Sequence, residues 1–397
     1  MNNTVTFERS DSKLVLHLNG RIDSNNASKV DEEILPALQG VSTVEVDCSN
    51  LTYVSSAGLR VILRIRKSVS DMVLTNVSNE VYDIFQLTGF TEMMDIRKAF
   101  RRLNVEGCEI IGQGANGTVY RYDPETIVKV FKNPNALPDI QRERELARTA
   151  FVLGVPTAIA YDIVQVENGL YGSVFELLNA DSYQTLLVNG TKTVDEIAEM
   201  SAEILRTVHS RVLKPGVLPS KKEMEMEHVE QLKGVLPDDQ FERLHSLFEG
   251  LPDTLHMVHG DFHIKNIMVQ NGESLLIDMD TLCTGDPIFE FSGLYVPYCG
   301  FSEINPDDTM RFFNIPRETA RELFTKTLNK YLEGTGIDPE TALIKARIIA
   351  YSRLLYYTVI GKHMKPGMVE PMRNHTMKCL SELLPQVTEL CLGYQPE

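Results

Sequence analysis

The sequence predicts two domains of different class, an α/β domain in residues 1–100 and a larger α+β domain in residues 105–397. In the first, short apolar strands alternate with helical segments, as in layered α/β folds. In the second, a glycine-rich loop lies among segments of β-branched and aromatic residues, and the segments after Pro287 have the spacing of amphipathic helices. The basic stretch at 97–102 is expected to be a helix end at the boundary.

The first domain contains a motif of known type. Strands are expected at 5–7, 14–18 and 43–47, and helices at 27–38 and from about 56 onward. Asp47, Leu51 and the run Val-Ser-Ser-Ala-Gly-Leu-Arg at 54–60 resemble the STAS domain of anti-sigma factor antagonists, over nearly all of residues 3–100. The resemblance implies a STAS fold and a possible protein partner of the anti-sigma factor type.

The serines of this motif depart from the phosphorylation-switched members that it resembles. In those members the acceptor serine directly precedes the Gly-Leu pair, whereas this chain has Ala57 there, after Ser55 and Ser56. Serine at a helix start is commonly an N-cap that binds free backbone amides. The sequence therefore favours capping, although a helix N-terminus also favours a phosphate, so Ser55 and Ser56 are candidate phosphoacceptors.

The second domain begins with a glycine motif at 110–119, in which Gly112, Gly114 and Gly117 form GxGxxG. A dinucleotide-binding turn has the same glycines, but it must open a helix. Here the next residues, Thr-Val-Tyr-Arg-Tyr, favour a strand, and a turn and a second strand carrying Lys129 follow. This order is typical of kinases, in which the loop covers the nucleotide phosphates and the lysine pairs with them.

The lysine needs an acidic partner, which we expect on a helix at 140–154. Glu143 and Glu145 are the two candidates. Glu143 shares a helical face with Leu146 and Ala147, at spacings of three and four, so it is predicted to face the core. Glu145 points nearer to solvent, and Glu143 is the favoured partner.

The most informative stretch is His-Gly-Asp-Phe-His-Ile-Lys-Asn at 259–266, followed by Leu-Leu-Ile-Asp-Met-Asp at 275–280. It places Asn266 five residues after Asp261, and Asp278 twelve residues after Asn266. Phosphoryl transfer from a nucleotide needs one carboxylate to orient and deprotonate the acceptor, and an Asn with an Asp to hold Mg²⁺. Asp278 follows an apolar run, so we expect it at a strand end facing a cleft.

Together with Gly-Asp-Pro at 285–287, this stretch resembles the signature of the aminoglycoside phosphotransferase and choline kinase branch of the kinase-like fold. The resemblance implies a bilobal α+β domain, with an N-lobe at about 105–178 and a C-lobe at about 179–397. It implies ATP and Mg²⁺ as cofactors and backbone contacts to adenine near Glu176 and Leu178. It also implies supporting roles for His259, His263 and Asp280.

Departures from the wider kinase pattern bear on the acceptor. Protein serine/threonine kinases usually carry Lys two residues after the catalytic Asp, where this chain has His263, so a small-molecule hydroxyl is the favoured acceptor. His259 and His263 lack the helical context of a zinc motif. The family's usual Asp in the following helix is replaced by Glu290, for which we expect a small geometric change.

Composition narrows the partners. A formal net charge of −16 argues against nucleic acid and anionic membranes. No apolar run reaches the roughly 18 residues of a spanning helix, no signal peptide is evident, and the six cysteines have no paired spacing. We therefore expect a cytoplasmic protein. Two rival functions stay open: a partner-switching regulator whose kinase part only senses nucleotide, and a protein kinase of the same pathway.

Overall fold

The computed structural model describes residues 4–114, 116–166, 169–361, 364–365 and 367–393. The chain divides into two compact units, which are described separately. The first comprises residues 1–104 and 163–168, and the second comprises residues 105–162 and 169–397. No helix of the described residues is long and apolar enough to cross a membrane.

The first unit contains a five-stranded sheet in the order β1-β2-β3-β4-β5, with β1 antiparallel to β2 and the other neighbours parallel. Its apolar core packs between the sheet and three helices. A further strand, β6, pairs in parallel with the end of β10, at Val164 to Val166. The elements are β1 (Val5–Ser10), β2 (Lys13–Ile22), α1 (Ala27–Ala37), β3 (Thr43–Val54), α2 (Ser56–Ser68), β4 (Asp71–Val77), α3 (Asn79–Leu87), β5 (Asp95–Lys98), β6 (Arg101–Leu103) and β10 (Ala160–Val166), of which residues 160–162 belong to the second unit.

Two expectations for this unit are wrong. The segment at 97–102 is not a helix end, because residues 97–98 end strand β5 and residues 101–102 begin strand β6. Strand β3 extends to Val54 rather than stopping at Asp47, since Leu51 and Val54 continue its buried face. Most residues of β5 and β6 are charged and exposed. These segments therefore have no apolar period by which a strand can be told from a helix.

The second unit begins with an antiparallel sheet in the order β11-β9-β8-β7. The loop between β7 and β8 carries the glycine motif, β9 carries Lys129, and helix α4 carries Glu143. These elements are β7 (Glu109–Gln113), β8 (Gly117–Arg121), β9 (Thr126–Phe131), α4 (Leu137–Val152) and β11 (Tyr171–Glu176).

The remaining two hundred or so residues of this unit are mainly helical and enclose two small sheets, β12-β14-β15 and β13-β16. The helices expected after Pro287 are present, and the last of them ends at Leu383. The elements are β12 (Asp181–Ser182), α5 (Tyr183–Val188), α6 (Val194–His209), α7 (Lys221–Glu230), α8 (Asp238–Glu249), β13 (Met257–Val258), β14 (Ile267–Gln270), β15 (Glu273–Leu276), β16 (Cys283–Thr284), α9 (Ile288–Tyr295), a π-helical turn (Val296–Gly300), α10 (Phe301–Ile304), α11 (Asp308–Phe313), α12 (Arg317–Leu332), α13 (Pro339–Ile360) and α14 (Val369–Leu383).

Candidate active site

A β-hairpin brings together two predicted metal ligands that are twelve residues apart in sequence. Strands β14 and β15 pair with Ile267 opposite Leu276, and the amide of Ile277 donates to the carbonyl of Asn266 at 2.9 Å. Asn266 therefore begins the hairpin beside Asp278, which follows its end. Asp278 has φ +65°, a left-handed backbone conformation that Asp tolerates better than most residues.

Asp261 lies in the loop before this hairpin. Its carboxyl group is about half exposed, with 49% side-chain accessibility, so it is free to meet a substrate. The Nδ2 of Asn266 donates to the Asp261 carbonyl at 3.0 Å and to its Oδ2 at 3.2 Å. Since Asn266 turns its amide nitrogen toward Asp261, its Oδ1 is left as the atom that could bind a cation.

The His259 ring connects this loop to the strand end that precedes Asp278. Its Nδ1 accepts from the Asp261 amide at 3.3 Å, and its Nε2 lies 3.2 Å from the carbonyl of Ile277. An imidazole protonated at Nε2 alone satisfies both contacts. The ring is fully buried and so fixes the spacing between Asp261 and Asp278.

Glu290, in the helix after Gly-Asp-Pro, holds the start of the loop that carries Asp261. Its Oε2 accepts from the His259 amide at 2.7 Å and its Oε1 from the Gly260 amide at 3.0 Å. Burial alone would raise the pKa of Glu290, but His209 and His259 hold the pKa below its usual value. Gly260 is required here, because φ is +85° and a Cβ would lie 2.6 Å from the carbonyl of Thr281.

Replacing Glu290 should strongly destabilise the second unit. In Glu290→Ala the buried amides of His259 and Gly260 lose their acceptor, and each unpaired buried group costs about 1–3 kcal/mol. We expect a loss of about 2–5 kcal/mol in the free energy of unfolding, measured by urea denaturation. The exposed Glu249→Ala, at the end of α8, is the matched control. A variant Glu290→Ala as stable as the control would contradict this anchoring role.

Lys129 and Glu143 form an ion pair inside the second unit. The Nζ of Lys129 lies 2.8 Å from Glu143 Oε1 and 3.1 Å from Asp278 Oδ1. Glu143 is buried, at 4% exposure, whereas Glu145 is exposed. Burial by itself would lower the pKa of Lys129. The negative charges of Glu143 and Asp278 outweigh this effect and raise the pKa to about 12. The structure thus brings Lys129 to Glu143 and to the strand end that carries Asp278.

The glycine motif packs closely against strand β9 at one of its three glycines. The Gly114 amide donates to the Gly117 carbonyl at 2.9 Å. A Cβ on Gly117 would lie 2.4 Å from the carbonyl of Val130, so a side chain there would push the loop away from β9. Gly112 and Gly114 have no such close contact. A cavity of about 340 Å³ adjoins the loop at Asn116, and its lining also includes Lys132, Arg142, Glu143 and Asp280.

Asp280, two residues after Asp278, is a carboxyl group with an unusual environment. Burial, and then the negative charges of Asp278 and Glu143, raise its pKa to about 7. Asp280 is thus partly protonated near neutral pH. The sequence marked Asp280 as a supporting residue, but nothing in its spacing indicated this shift.

The pH dependence of stability should reveal Asp280. Because its pKa is about 7 in the folded chain and 3.8 for an ordinary aspartate, the folded state binds the proton more tightly, and stability falls as pH rises from about 4 to about 7. In Asp280→Asn this loss disappears, so the variant should be more stable than the wild type by about 1–3 kcal/mol at pH 8 and nearly equal at pH 4. Thermal unfolding across pH measures this. Asp139→Asn, an exposed carboxylate lining the same cavity, should show no such trend; an equal trend in both variants would contradict the assignment.

The predicted hinge follows β11. The Glu176 amide donates to the Ile159 carbonyl at 3.0 Å and the Leu177 amide to the Glu125 carbonyl at 2.7 Å. Those two amides are therefore occupied. The Leu178 amide donates to no backbone carbonyl of the described residues, which leaves it as the candidate donor to adenine.

In the first unit, the structure separates the two candidate phosphoacceptors. The Ser55 side chain caps α2, accepting from the amides of Ala57 at 3.2 Å and Gly58 at 3.5 Å. Ser56, the first residue of the helix, is exposed. The capping role that the sequence favoured is thus taken by Ser55.

Family models match both units. The model described as STAS domain matches residues 4–103, and the model described as phosphotransferase enzyme family matches residues 107–321, more than half of the chain. The chain belongs to the phosphotransferase enzyme family. Both resemblances found in the sequence are confirmed, and so is the fold class, a STAS domain followed by a kinase-like phosphotransferase domain.

Curated relatives match the STAS domain of this phosphotransferase family member. The putative anti-sigma factor antagonist BtrV of Bordetella bronchiseptica is 30% identical over 23% of this chain and 84% of its own length. The anti-sigma-B factor antagonist of Listeria monocytogenes is 30% identical over 27% of this chain and 93% of its own. The antagonist of Bacillus subtilis is 23% identical over 24% of this chain and 92% of its own.

Solved structures similar to the chain include two aminoglycoside phosphotransferases. APH(2'')-Ib with bound ADP has 17% identity and a TM-score of 0.47, covering 70% of this chain and 95% of that one. A thermostable APH(4)-Ia mutant with AMP-PNP and hygromycin B has 12% identity and a TM-score of 0.48, covering 71% and 94%.

An aromatic cluster beside the catalytic loop was not foreseen from the sequence. His263 is buried, its Nε2 lies 3.6 Å from Asp261 Oδ2, and its ring meets Phe312 and Phe313 edge-on, with centroids 5.4 and 5.6 Å away. Burial lowers the pKa of His263 despite the opposing charge of Asp261. The hydroxyl of Tyr298 accepts from the Ile264 amide at 3.0 Å. These aromatic residues are about 30–50 positions from the loop, and no motif links them to it.

Proposed function

We propose that this member of the phosphotransferase family transfers the γ-phosphoryl group of ATP to a hydroxyl group of a small molecule, in a reaction that needs Mg²⁺. The observation that carries the proposal is the β14–β15 hairpin. It puts Asn266 and Asp278 side by side, next to the loop of Asp261, with Lys129 at hydrogen-bond distance from Asp278. A metal-binding pair, a phosphate-binding cation and an exposed carboxylate are the parts that this reaction needs.

Asp261 is assigned the role of orienting the acceptor hydroxyl and accepting its proton. The hydroxyl oxygen then forms a bond to the γ-phosphorus as the bond from that phosphorus to the β-phosphate oxygen breaks, and ADP leaves. The Asp261 carboxylate is partly exposed and is therefore accessible to substrate. Asn266 and His259 hold the backbone of Asp261 in place through hydrogen bonds.

Asn266 and Asp278 are the residues that would hold Mg²⁺. The donor set fits: Asn266 has a free Oδ1, and Asp278 has one carboxylate oxygen not bound to Lys129. Mg²⁺ is commonly held by one or two protein groups together with substrate phosphates, so a larger cluster of protein ligands is not needed. When bound, the ion would neutralise charge on the phosphates. Lys129, oriented by Glu143, would bind the phosphates beneath the glycine loop of Gly112, Gly114 and Gly117.

A small molecule is proposed as acceptor because His263 stands where protein serine/threonine kinases usually carry Lys. The buried ring of His263 lies beside the Asp261 carboxylate and packs on Phe312 and Phe313, so aromatic rings line one side of Asp261.

The proposal is tested by ADP release from ATP in the presence of a protein-free metabolite extract. We expect release that depends on both the extract and Mg²⁺, and that stops when EDTA removes the metal. Release that is unchanged by omitting the extract would mean simple ATP hydrolysis and would count against phosphotransfer. Release unaffected by EDTA would remove the metal from the site.

For the STAS domain we propose a docking role toward a protein partner of the anti-sigma factor type, without a phosphorylation switch. Ser55 is engaged as a helix cap, and Ala57 occupies the position of the family's acceptor serine. Intact-mass measurement after incubation with ATP and Mg²⁺ should show no added phosphate. A stoichiometric gain of one phosphate, lost in Ser56→Ala, would instead establish a switch at Ser56.

A further inference from the structure

Three arginines of the C-terminal helices are close enough to one buried thiol to act on it electrostatically. The positive charges of Arg321, Arg347 and Arg317 all act on the thiol of Cys299. The Nε atoms of Arg317 and Arg347 are buried and have no hydrogen-bond partner among the described residues. None of the three guanidinium groups forms an ion pair within that described part of the chain, although all three are partly exposed.

The positions of Arg317 and Arg321 make this arrangement unfavourable in the absence of an anion. Arg317 is the first residue of α12, where the helix dipole disfavours a positive charge. Arg321 follows one turn later on the same face, so two like charges lie at the i, i+4 spacing that destabilises a helix. The same first turn carries the exposed Glu318, which offsets part of this positive charge.

The carboxylate that acts on the same thiol is already engaged elsewhere. Glu303 accepts from the hydroxyl of Tyr295 at 2.6 Å and from that of Tyr351 at 3.0 Å, and the Nε2 of His375 lies 2.6 Å away. Arg347 donates to the Tyr351 hydroxyl at 3.2 Å rather than to this carboxylate. Glu303 therefore reduces the local positive charge without pairing with the arginines, and the three guanidinium groups exceed it in number.

The thiol on which the arginines act is next to a residue that supports the loop of Asp261. Cys299 and Tyr298 are neighbours in the π-helical turn, a type of irregularity frequent at functional sites. Tyr298 accepts from the loop amide of Ile264, and its ring stacks on Phe313 at a centroid distance of 4.6 Å. Helix α12 begins four residues after Phe313. The same short turn thus supports the loop of Asp261 through Tyr298 and carries, at Cys299, the thiol on which the three arginines act.

We infer that Arg317, Arg321 and Arg347 bind an anionic group, a carboxylate or a phosphate ester, that the phosphoryl acceptor carries in addition to its hydroxyl. Guanidinium groups suit such anions because their planar donors match two oxygens at once. The inference rests on the proposed function in one respect only, that the anion belongs to the acceptor. An acidic acceptor would set this chain apart from enzymes that phosphorylate polycations.

The anion site is tested first, without turnover, by calorimetric titration of inorganic phosphate. We expect the wild type to bind phosphate, and the double variant R317M/R321M to bind it at least about 10-fold more weakly, as for the loss of a charge-assisted contact. R347M provides a second variant on another helix. R311M, an exposed arginine paired with Asp308, is the matched control, and Lys129→Met removes any phosphate bound under the glycine loop. Binding in R317M/R321M and R347M equal to that of the wild type would overturn the site.

The source of the anion is tested by dividing a metabolite extract on an anion exchanger. Extract-dependent ADP release should be found in the retained fraction and should be inhibited by inorganic phosphate in competition with that fraction. ADP release supported by the unretained fraction alone would show that the acceptor is not anionic. ADP release that occurs without the retained fraction and is only increased by it would show the same. If no fraction supports release while the phosphate titration succeeds, the proposed function fails and the anion site stands, so the two failures are distinguishable.

Discussion

Asp261→Asn should lower the rate of phosphoryl transfer by about 10²–10⁴-fold while leaving nucleotide affinity nearly unchanged. The variant keeps the size of the side chain and removes the group that accepts the proton. Because the Asp261 side chain is half exposed, its charge contributes little to the fold, and the expected loss is in kcat rather than in stability.

Steady-state kinetics with the active extract fraction, together with calorimetric titration of ATP, separate these effects. Asp253→Asn, which removes a carboxylate that is 87% exposed, is the matched control and should retain wild-type turnover. Turnover by Asp261→Asn within a few-fold of that control would assign the proton to another group.

The second large effect is expected from Asp278→Asn, in the affinity for nucleotide with Mg²⁺. Asn tolerates the left-handed backbone at φ +65°, so this change removes charge without adding the strain that Ala would bring. Losing the carboxylate of the Asn266 and Asp278 pair should weaken Mg²⁺-dependent ATP binding by about 10–100-fold.

The measurement is ATP affinity as a function of Mg²⁺ concentration. The wild type should bind ATP more tightly as Mg²⁺ rises, and Asp278→Asn should lose most of that dependence. Asn271→Asp serves as a control, because Asn271 also has a left-handed backbone, at φ +53°, but lies in the turn of the same hairpin. Unaltered Mg²⁺ dependence in Asp278→Asn would remove this residue from the metal site.

Much of the site could be predicted because its residues are carried by local sequence. Asn266 and Asp278 flank a hairpin of two short strands. The antiparallel pairing of these strands brings its two ends close together, although they are twelve residues apart in sequence. Lys129 and Glu143 were found in the same way: an apolar strand and the face of an amphipathic helix fix which side chains point inward. The family resemblance added the roles of these residues.

The remainder depends on contacts between distant segments. The pKa of Asp280 reflects burial summed with the charges of Asp278 and Glu143, which no spacing encodes. The aromatic wall at Phe312 and the arginines at 317, 321 and 347 come from helices whose packing the apolar period alone does not determine. Strand β6 was missed because its burial is limited to Leu103, and it pairs with a strand some sixty residues away.

The central claim is that the γ-phosphoryl group moves from ATP to a small molecule through Asp261. The most direct measurement follows γ-labelled phosphate from ATP in the presence of extract and separates inorganic phosphate, small molecules and protein. We predict that label appears in a small-molecule fraction with the wild type and is reduced at least about 100-fold with Asp261→Asn. Label found only on protein, or only as inorganic phosphate, would contradict the claim.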